Sequence, residues 1–529
     1  MKTILKKYAI VSAAILFAGI TAGCTGDFEE YNTNPHSPTP EQMKGDNAAT
    51  ASLIQASLQA LCYTGENTGQ ELEQFVGGDY GGMMAPVHAW GNADYNGYST
   101  YNPGPSVYGA TFSLIMKDIY TSYFQIRDIT GSSGLVYHWM NIIRVAGSLR
   151  VSDTYGPIPY SKITGNDYTV AYDSMETLYD AMFADLDAAI EYITSVITSG
   201  DIVESLVDAD VIYKGDFRKW VKFANTLKLR MAMRISNVKP ALAKEKAEEA
   251  AQHAVGTMTE AGDRAENPDN DKSENPLHRI AYTWNDGEVR ISANITSYMS
   301  GYNDPRLPKY ATQEGGRYAG VRHGINRLVL GDRMKTVGYS NLVIDYNQPM
   351  LIMSAAEAWF LKAEGALNGW DMGSGNTAQS CYNKGIEVSM QEHGVSIGSY
   401  LTSSTRPAAY TDPSGSYSTS APSTVTVPFS SSSSDKELNR ERIMVQKWLA
   451  NFPNGWETWA DIRRTGYPKF MPVVSNTGTG DGVTNTRGMR RLRYPQDEYN
   501  NNKANVEAAV GLLGGPDTFG TDLWWAKKN

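Results

Sequence analysis

Cysteine is scarce in this 529-residue chain: Cys24, Cys62 and Cys381 are its three. So few thiols exclude a disulfide-built scaffold, and the two beyond Cys24 leave open either one bridge or two buried thiols. Histidine numbers seven, with no CxxC or HExxH spacing, so the four ligands of a structural zinc site have no support. There is no GxxxxGK(S/T) phosphate loop and no GxSxG nucleophile turn. Gly478-Thr479-Gly480-Asp481-Gly482 lacks the strand-to-helix setting of a dinucleotide fingerprint and reads as a loose loop. Beyond Cys24 no run of about 18 apolar residues occurs, so no transmembrane helix is expected. Positive charge is in deficit, with 47 Lys and Arg against 57 Asp and Glu. A surface this acidic argues against nucleic acid or anionic lipid as a partner. No cofactor and no metal is predicted. Asn267, Asp269 and Asp271 mimic the start of a calcium loop, but Lys272 stands where the sharp-turn glycine belongs and no matching Glu closes the loop.

What is present begins at the N-terminus. Lys2, Lys6 and Lys7 precede an uncharged apolar run, 9–20, and then Thr21-Ala22-Gly23-Cys24. This is the pattern of a secretory signal, residues 1–23, cleaved to leave Cys24 as an acylated N-terminus. Several acyl chains, at about 0.8 kcal/mol per buried methylene, hold a protein to a membrane without spanning it. Asp27, Glu29 and Glu30 resemble the acidic export signal of lipoproteins sent to the outer leaflet of the outer membrane. Residues 24–40, rich in Asn, Pro and Thr, read as a solvated tether.

Helical periodicity dominates the remainder, 41–529, read as a single domain. Apolar residues at spacings of three and four predict helices over 41–61, 107–129, 135–151, 178–197, 217–235, 239–255, 350–367, 377–393, 435–450 and 455–464. Asp173 or Ser174 is the expected cap of the fourth. Helix pairs with short connections are similar to tetratricopeptide stacking, without a strict repeat period. Irregular stretches at 77–105, 262–349, 398–434 and 473–529 interrupt them, and the Ser/Thr/Pro-rich 398–434 reads as a flexible surface insertion.

Five segments, in order, resemble the SusD/RagB family of outer-membrane nutrient-binding lipoproteins. Tyr155-Gly156-Pro157-Ile158-Pro159-Tyr160 is similar to its "YGxxPY" turn, and Trp220 to Arg230 to its "WxxFANxLKLR" helix. Ala355 to Glu364 resembles "AEAxxLxAE", Trp456 to Gly466 resembles "WxDxRRTG", and Arg493-Tyr494-Pro495 through Asn501 resembles "RYPxxE…N". The resemblance implies a mostly α fold, with tetratricopeptide-like helix pairs packed against a loop-rich half. It also implies a cell-surface protein that captures a glycan or, in some branches, a peptide, and hands it to a SusC-like TonB-dependent transporter. Read physically, these motifs are scaffold. Arg230 and Arg234 lie one turn apart and can pair with acids, and Trp456, Trp459 and Arg463 share a helical face where guanidinium can stack on indole.

Ligand candidates lie where aromatics escape core periodicity. Trp90-Gly91-Asn92-Ala93-Asp94-Tyr95-Asn96-Gly97-Tyr98 is too rich in Gly and Asn for a helix. Its flat rings suit sugar C–H faces or peptide side chains, and its amides suit hydroxyls. Trp90, Asn92, Tyr95 and Tyr98 are the candidates here, and Trp90 and Asn92 resemble the aromatic and amide of the early loop in starch-binding relatives. Trp284 and Asn285 form a second candidate wall, while the nearby Asp304-Pro305-Arg306 is structural. The bland alternative is that these rings plug their loops onto the body. A secreted glycoside hydrolase or lyase and a structural scaffold are the competing functions. Isolated His88 and His138 and the many acids give the enzyme no specific support.

Overall fold

The apolar stripes become buried faces in the computed structural model, which describes residues 48–165, 167–200, 206–268, 274–330 and 333–527. Cys24, the signal, the tether and residues 269–272 of the calcium-like run lie outside the described residues. Helices of ten residues or more are Ala48–Leu58 (α1), Pro105–Thr130 (α2), Gly134–Tyr155 (α3), Met175–Ser199 (α4), Phe217–Arg234 (α5), Pro240–Gln252 (α6), Ala293–Tyr302 (α7), Ala355–Leu367 (α8), Ala378–Glu392 (α9), Lys436–Ala450 (α10), Trp456–Thr465 (α11) and Lys503–Leu513 (α12). Consecutive helices pack on one another, α2 on α3, α3 on α4, α5 on α6 and α8 on α9, in tetratricopeptide-like fashion. In α4, Leu178, Met182, Leu186, Ile190 and Ile193 all face the core, each burial contributing roughly 1.5–3 kcal/mol.

Local chemistry sets the helix ends. Ser174 caps α4 by accepting from the Thr177 amide at 3.2 Å. Asp173, the alternative cap, instead takes the Ser161 amide and hydroxyl at 2.7 and 2.8 Å. Gly156 ends α3 with φ 100°, and a Cβ there would meet Leu513 at 2.6 Å. The C-terminal motif and Arg491, two residues before it, dock on this helix end. Arg491 donates to the Tyr155 carbonyl at 3.0 and 2.7 Å, and the Tyr494 hydroxyl to the Pro157 carbonyl at 2.8 Å. Carbonyls that a helix terminus leaves without partners are thereby satisfied.

Three readings are revised. Met350–Met353 is a β-strand rather than the first turn of a helix, paired antiparallel with Ala265–Asn267. Helix α7, inside a stretch expected to be irregular, was not expected, although Ile295, Tyr298, Met299 and Tyr302 recur at spacings of three and four; its opposite side, with Asn294, Thr296 and Ser297, is polar yet buried. The segment 398–434, expected as a flexible insertion, is anchored by buried Tyr400, Tyr410, Val425 and Val427. Cys62 and Cys381 are both free and buried, which settles the two alternatives in favour of separate thiols.

The three central motifs meet in one buried ionic network. Arg230 of α5 grips Glu357 of α8 with two hydrogen bonds of 2.7 and 2.9 Å. Arg234 pairs with Glu457 of α11 at 2.6 Å and Asp153 of α3 at 3.1 Å. Lys447 of α10 lies 3.0 Å from Glu457 and 2.9 Å from Asp461. Arg464 clasps Glu364 through two 2.7 Å bonds, and Arg440 adds a third at 2.9 Å. Burial alone would push the Glu364 carboxyl up, but the Arg464 charge and its hydrogen bonds, with Arg440 beside them, hold it down at about 2. A depressed folded-state value means that the pairing stabilises the fold fully above the ordinary 4.5 and is lost as pH falls toward 2. We expect Glu364→Gln to cost about 3–5 kcal/mol at neutral pH, since it removes the two-pronged partner of buried Arg464 and leaves that guanidinium only its 3.3 Å pairing with Asp461. Urea unfolding between pH 5 and 2 checks it: the variant should lose part of the acid dependence, and parallel curves for the two proteins would refute the assignment.

Candidate functional site

A two-stranded ribbon brings the two candidate loops together. Met84–Pro86 (β1) pairs antiparallel with Val289–Ile291 (β2), with Met84 opposite Ile291 and Pro86 opposite Val289. Trp90 follows the first strand by four residues, and Glu288 immediately precedes the second. The Val87 amide donates to the Glu288 carbonyl at 2.8 Å, extending the ribbon toward the loops.

Glu288 is the junction. Its side chain is buried. The Trp90 indole donates to Oε1 at 3.2 Å, the Asn285 amide donates to the same oxygen, and the Gln70 amide donates to Oε2. Gln70 opens a π-helical segment, Gln70–Gly78, that packs beneath the Trp90 loop. Such wide turns occur mostly as short insertions and often near functional sites. Phe75 of this segment meets the Trp90 ring edge-on at 5.5 Å and the Tyr95 ring at 5.1 Å.

The loop itself is held from within. Asn96 accepts from the Trp90 amide at 3.0 Å and donates back to the Trp90 carbonyl. Asn92 caps the short helix Ala93–Gly97 by accepting from the Asp94 amide at 2.9 Å. Tyr95 donates to Glu71 at 3.1 Å, and burial pushes that carboxyl up against the lowering effect of the hydroxyl. Buried Arg327 lies 5.6 Å from the Trp90 ring centroid and 5.8 Å from that of Tyr98, and donates to the Asn96 carbonyl at 2.8 Å.

The candidates therefore separate by exposure. Asn92 and Asn285 are exposed, and Trp90, Tyr95 and Trp284 are half-buried with part of each ring open to solvent. Tyr98 is wholly buried, its hydroxyl accepting from Gln74 at 2.8 Å and its ring 4.3 Å from Phe75. It is a core ring that supports the loop, which revises its place among the contact candidates. Tyr98 is the first residue of the loop from Trp90 onward to be buried, where the chain leaves the short helix and packs on Phe75. Asn285 and Asp286 both adopt left-handed backbone, at φ 46° and 58°. Asn and Asp tolerate that region better than most residues, and two in succession turn the chain sharply enough to bring Trp284 and Asn285 to the ribbon end. Asp304 and Arg306 belong to the scaffold, fully buried and paired at 2.6 Å.

Sequence reasoning overlooked Glu288, Gln70, Asn96 and Arg327. Asn96 sat within the chosen loop and is the kind of residue that pins turns, so its signal was available. Glu288 and Gln70 gave none, because the contacts that make the junction, Trp90 to Glu288 and Gln70 to Glu288, span about two hundred residues of chain, and only Asn285 is local to Glu288.

Helix pairs stacked against a loop-rich half that presents half-open aromatic rings define the class of architecture. The model of the family "SusD-like: Susd and RagB outer membrane lipoprotein" matches residues 30–526, and the chain belongs to that family. A SusD homolog from Bacteroides uniformis is 38% identical, with 91% of this chain and 99% of that one covered at a TM-score of 0.84. One from Bacteroides thetaiotaomicron is 36% identical, with 91% and 99% covered and a TM-score of 0.82. A chitin-binding SusD homolog from Flavobacterium johnsoniae is 35% identical, with 92% and 99% covered and a TM-score of 0.82. No similar protein is found among curated sequences.

Glu288→Ala should remove the shared acceptor and leave three donors without it. A cost of about 1–3 kcal/mol in denaturant unfolding is expected, the usual penalty for unsatisfied buried polar groups. A shift in tryptophan emission as Trp90 loosens should accompany it. Unchanged stability and emission would mean that the junction does not hold the loops.

Proposed function

We propose that this protein captures oligosaccharide at the face formed by Trp90, Asn92, Tyr95, Trp284 and Asn285, without catalysis. It passes the sugar to a SusC-like TonB-dependent transporter. The observation that carries the reading is the meeting of Trp90 and Asn285 on one carboxylate oxygen of Glu288. This convergence makes a single aromatic and amide surface out of two loops. Rings that are fixed but half-open lose little freedom on binding, and a sugar face against an indole gains from burial of its C–H groups. The chitin-binding relative supports a saccharide over a peptide. Glu288 serves as an acceptor for three fixed donors, a positioning role that supports binding rather than acid–base chemistry.

Trp90→Ala should weaken binding of chito-oligosaccharide or another matching glycan by roughly 1–3 kcal/mol, about ten- to a hundredfold, on the scale of a contact hot spot. Calorimetry on the folded variant reads this. A loss of about 3–5 kcal/mol in stability with affinity intact in the folded fraction would instead make Trp90 a core plug.

We place the protein on the outer membrane, lipid-anchored at Cys24 and facing outward, from its signal and the acidic residues after it. Cys24→Ala should move it from the membrane fraction to a soluble pool, while mild detergent extraction of the native protein should co-purify a barrel transporter. Persistent membrane association of the variant, or recovery of the native protein alone, would refute the anchor or the partnership respectively.

A further inference from the structure

The loop that carries Trp90 contributes its far end to a different feature. Tyr101 joins the turn after α11, the segment 485–490 and the chain end near Lys527 around a cavity of about 690 Å³. This lies within the usual range of roughly 300–1,000 Å³ for small-ligand sites. Its inner wall is buried and aromatic, with Trp459 and Tyr80 at 5.2 Å between ring centroids and Tyr101 6.4 Å from Tyr80.

The cavity is cationic in an acidic chain. Arg463, Arg487, Arg490, Lys469 and Lys527 line it, against a single lining acid, Asp522. Arg487 and Arg490 share that carboxylate, the latter at 2.6 Å. Lys469 pairs with Glu441 at 3.0 Å, whereas Lys527 is engaged by the Leu513 carbonyl at 3.2 Å. Arg463 is buried, stacked 3.8 Å over Trp459, and donates only to backbone carbonyls, those of Trp459 at 3.0 Å and Arg490 at 3.1 Å among them. Among the described residues no carboxylate stands within ion-pairing distance of it. The Tyr80 hydroxyl is buried at the same wall and has no hydrogen-bond partner. Buried polar groups are rarely left so, and a cavity that gathers surplus cations beside one has the makings of an anion site.

We infer that this cavity is a second saccharide site, specific for a sugar that carries an anionic group, carboxylate or sulfate. The inference takes its ligand class from the capture reading above but rests on other residues. The half-buried Tyr101 ring offers an apolar surface to a pyranose ring, and Asn485, Thr486 and Ser420 at the opening suit its hydroxyls. Arg487 and Lys527 meet the anionic group at the rim, the Arg463 charge draws it inward, and the Tyr80 hydroxyl gains an acceptor. Hydroxyl-matching groups around flat rings favour a sugar over the acidic end of a peptide.

The test is calorimetric titration of the full chain in detergent with tetragalacturonate, a sulfated tetrasaccharide, a neutral tetrasaccharide and an acidic tripeptide. At least one anionic saccharide should bind roughly tenfold or more tighter than the neutral one, on the scale of a charged hydrogen bond. The preference should shrink as salt is raised. The arms show whether carboxylate or sulfate is preferred. Arg487→Gln combined with Lys527→Met, both at exposed positions, should abolish the preference, and Tyr80→Phe should reduce it with the fold intact by circular dichroism. Equal affinities for anionic and neutral sugars, a preference that survives the double variant, or tighter binding of the tripeptide would overturn the inference. Trp90→Ala separates the two sites: loss of neutral-sugar binding with the anionic preference retained supports both, whereas neutral-sugar binding unaffected by Trp90→Ala counts against the capture site alone.

Discussion

Five helices of this protein are tied together by charges that have almost no contact with water. Asp153, Arg230, Arg234, Glu357, Glu364, Lys447, Glu457, Asp461 and Arg464 all lie in the interior or at its edge, and every one has an opposite charge within reach. Placing ions in a low-dielectric interior costs several kcal/mol each, and mutual attraction repays that only in good geometry. The two-pronged Arg230–Glu357 and Arg464–Glu364 pairs supply that geometry, since a planar guanidinium matches a carboxylate in direction as well as charge. Apolar packing would hold these helices together in many registers. A charge network tolerates few, because a shift of one turn would strand several ions at once. The network thus fixes how the helix pairs sit, and with them the loops.

That rigidity reaches the Trp90 loop and the cationic cavity through short paths. Trp456, one residue before Glu457, donates to Glu73 at 3.0 Å, and Glu73 lies in the π-helical segment beneath the Trp90 loop. Trp459 and Arg463, on the same helix as Asp461 and Arg464, form the inner wall of the cationic cavity. One short helix therefore carries ionic, supporting and cavity-lining residues on its successive faces. Aromatic loops placed on such a frame hold their rings preset, and a preset ring has little freedom to lose on contact.

The stacking anticipated for α11 shows how far a face-based reading reaches. Trp456, Trp459 and Arg463 do share a face, and Arg463 does lie over Trp459. Trp456, however, takes Arg150 at 4.5 Å, and Arg463 also approaches Trp525 at 5.0 Å. Helical spacing determines which residues can be neighbours on one element. It carries no information on which side chains of other elements will compete for them.

The same division runs through the whole molecule. The long helices were legible because amphipathic spacing is a local property, written in ten to twenty consecutive residues. The family was legible because its motifs are local too. Of the candidate site, the loops were visible as aromatics set among Gly and Asn outside any amphipathic period, although Ala93–Gly97, expected to be non-helical, forms a short helix capped by Asn92. Their meeting was not visible. Trp90 and Asn285 come together because β1 pairs with β2 and because Glu288, a near neighbour of Asn285 in sequence, also accepts from Trp90 about two hundred residues away, and nothing near Trp90 encodes that pairing. The inward turn of Tyr98, the all-round burial of α7 and the seating of 398–434 were equally decided by tertiary packing, which assigns a polar or aromatic residue to core or solvent according to what surrounds it. The chain by itself determined its elements, its acidic character and its kinship. Only the folded structure decided which rings remained open, which charges were paired and where an unpaired surplus gathered, since burial and electrostatics depend on neighbours brought from far along the sequence.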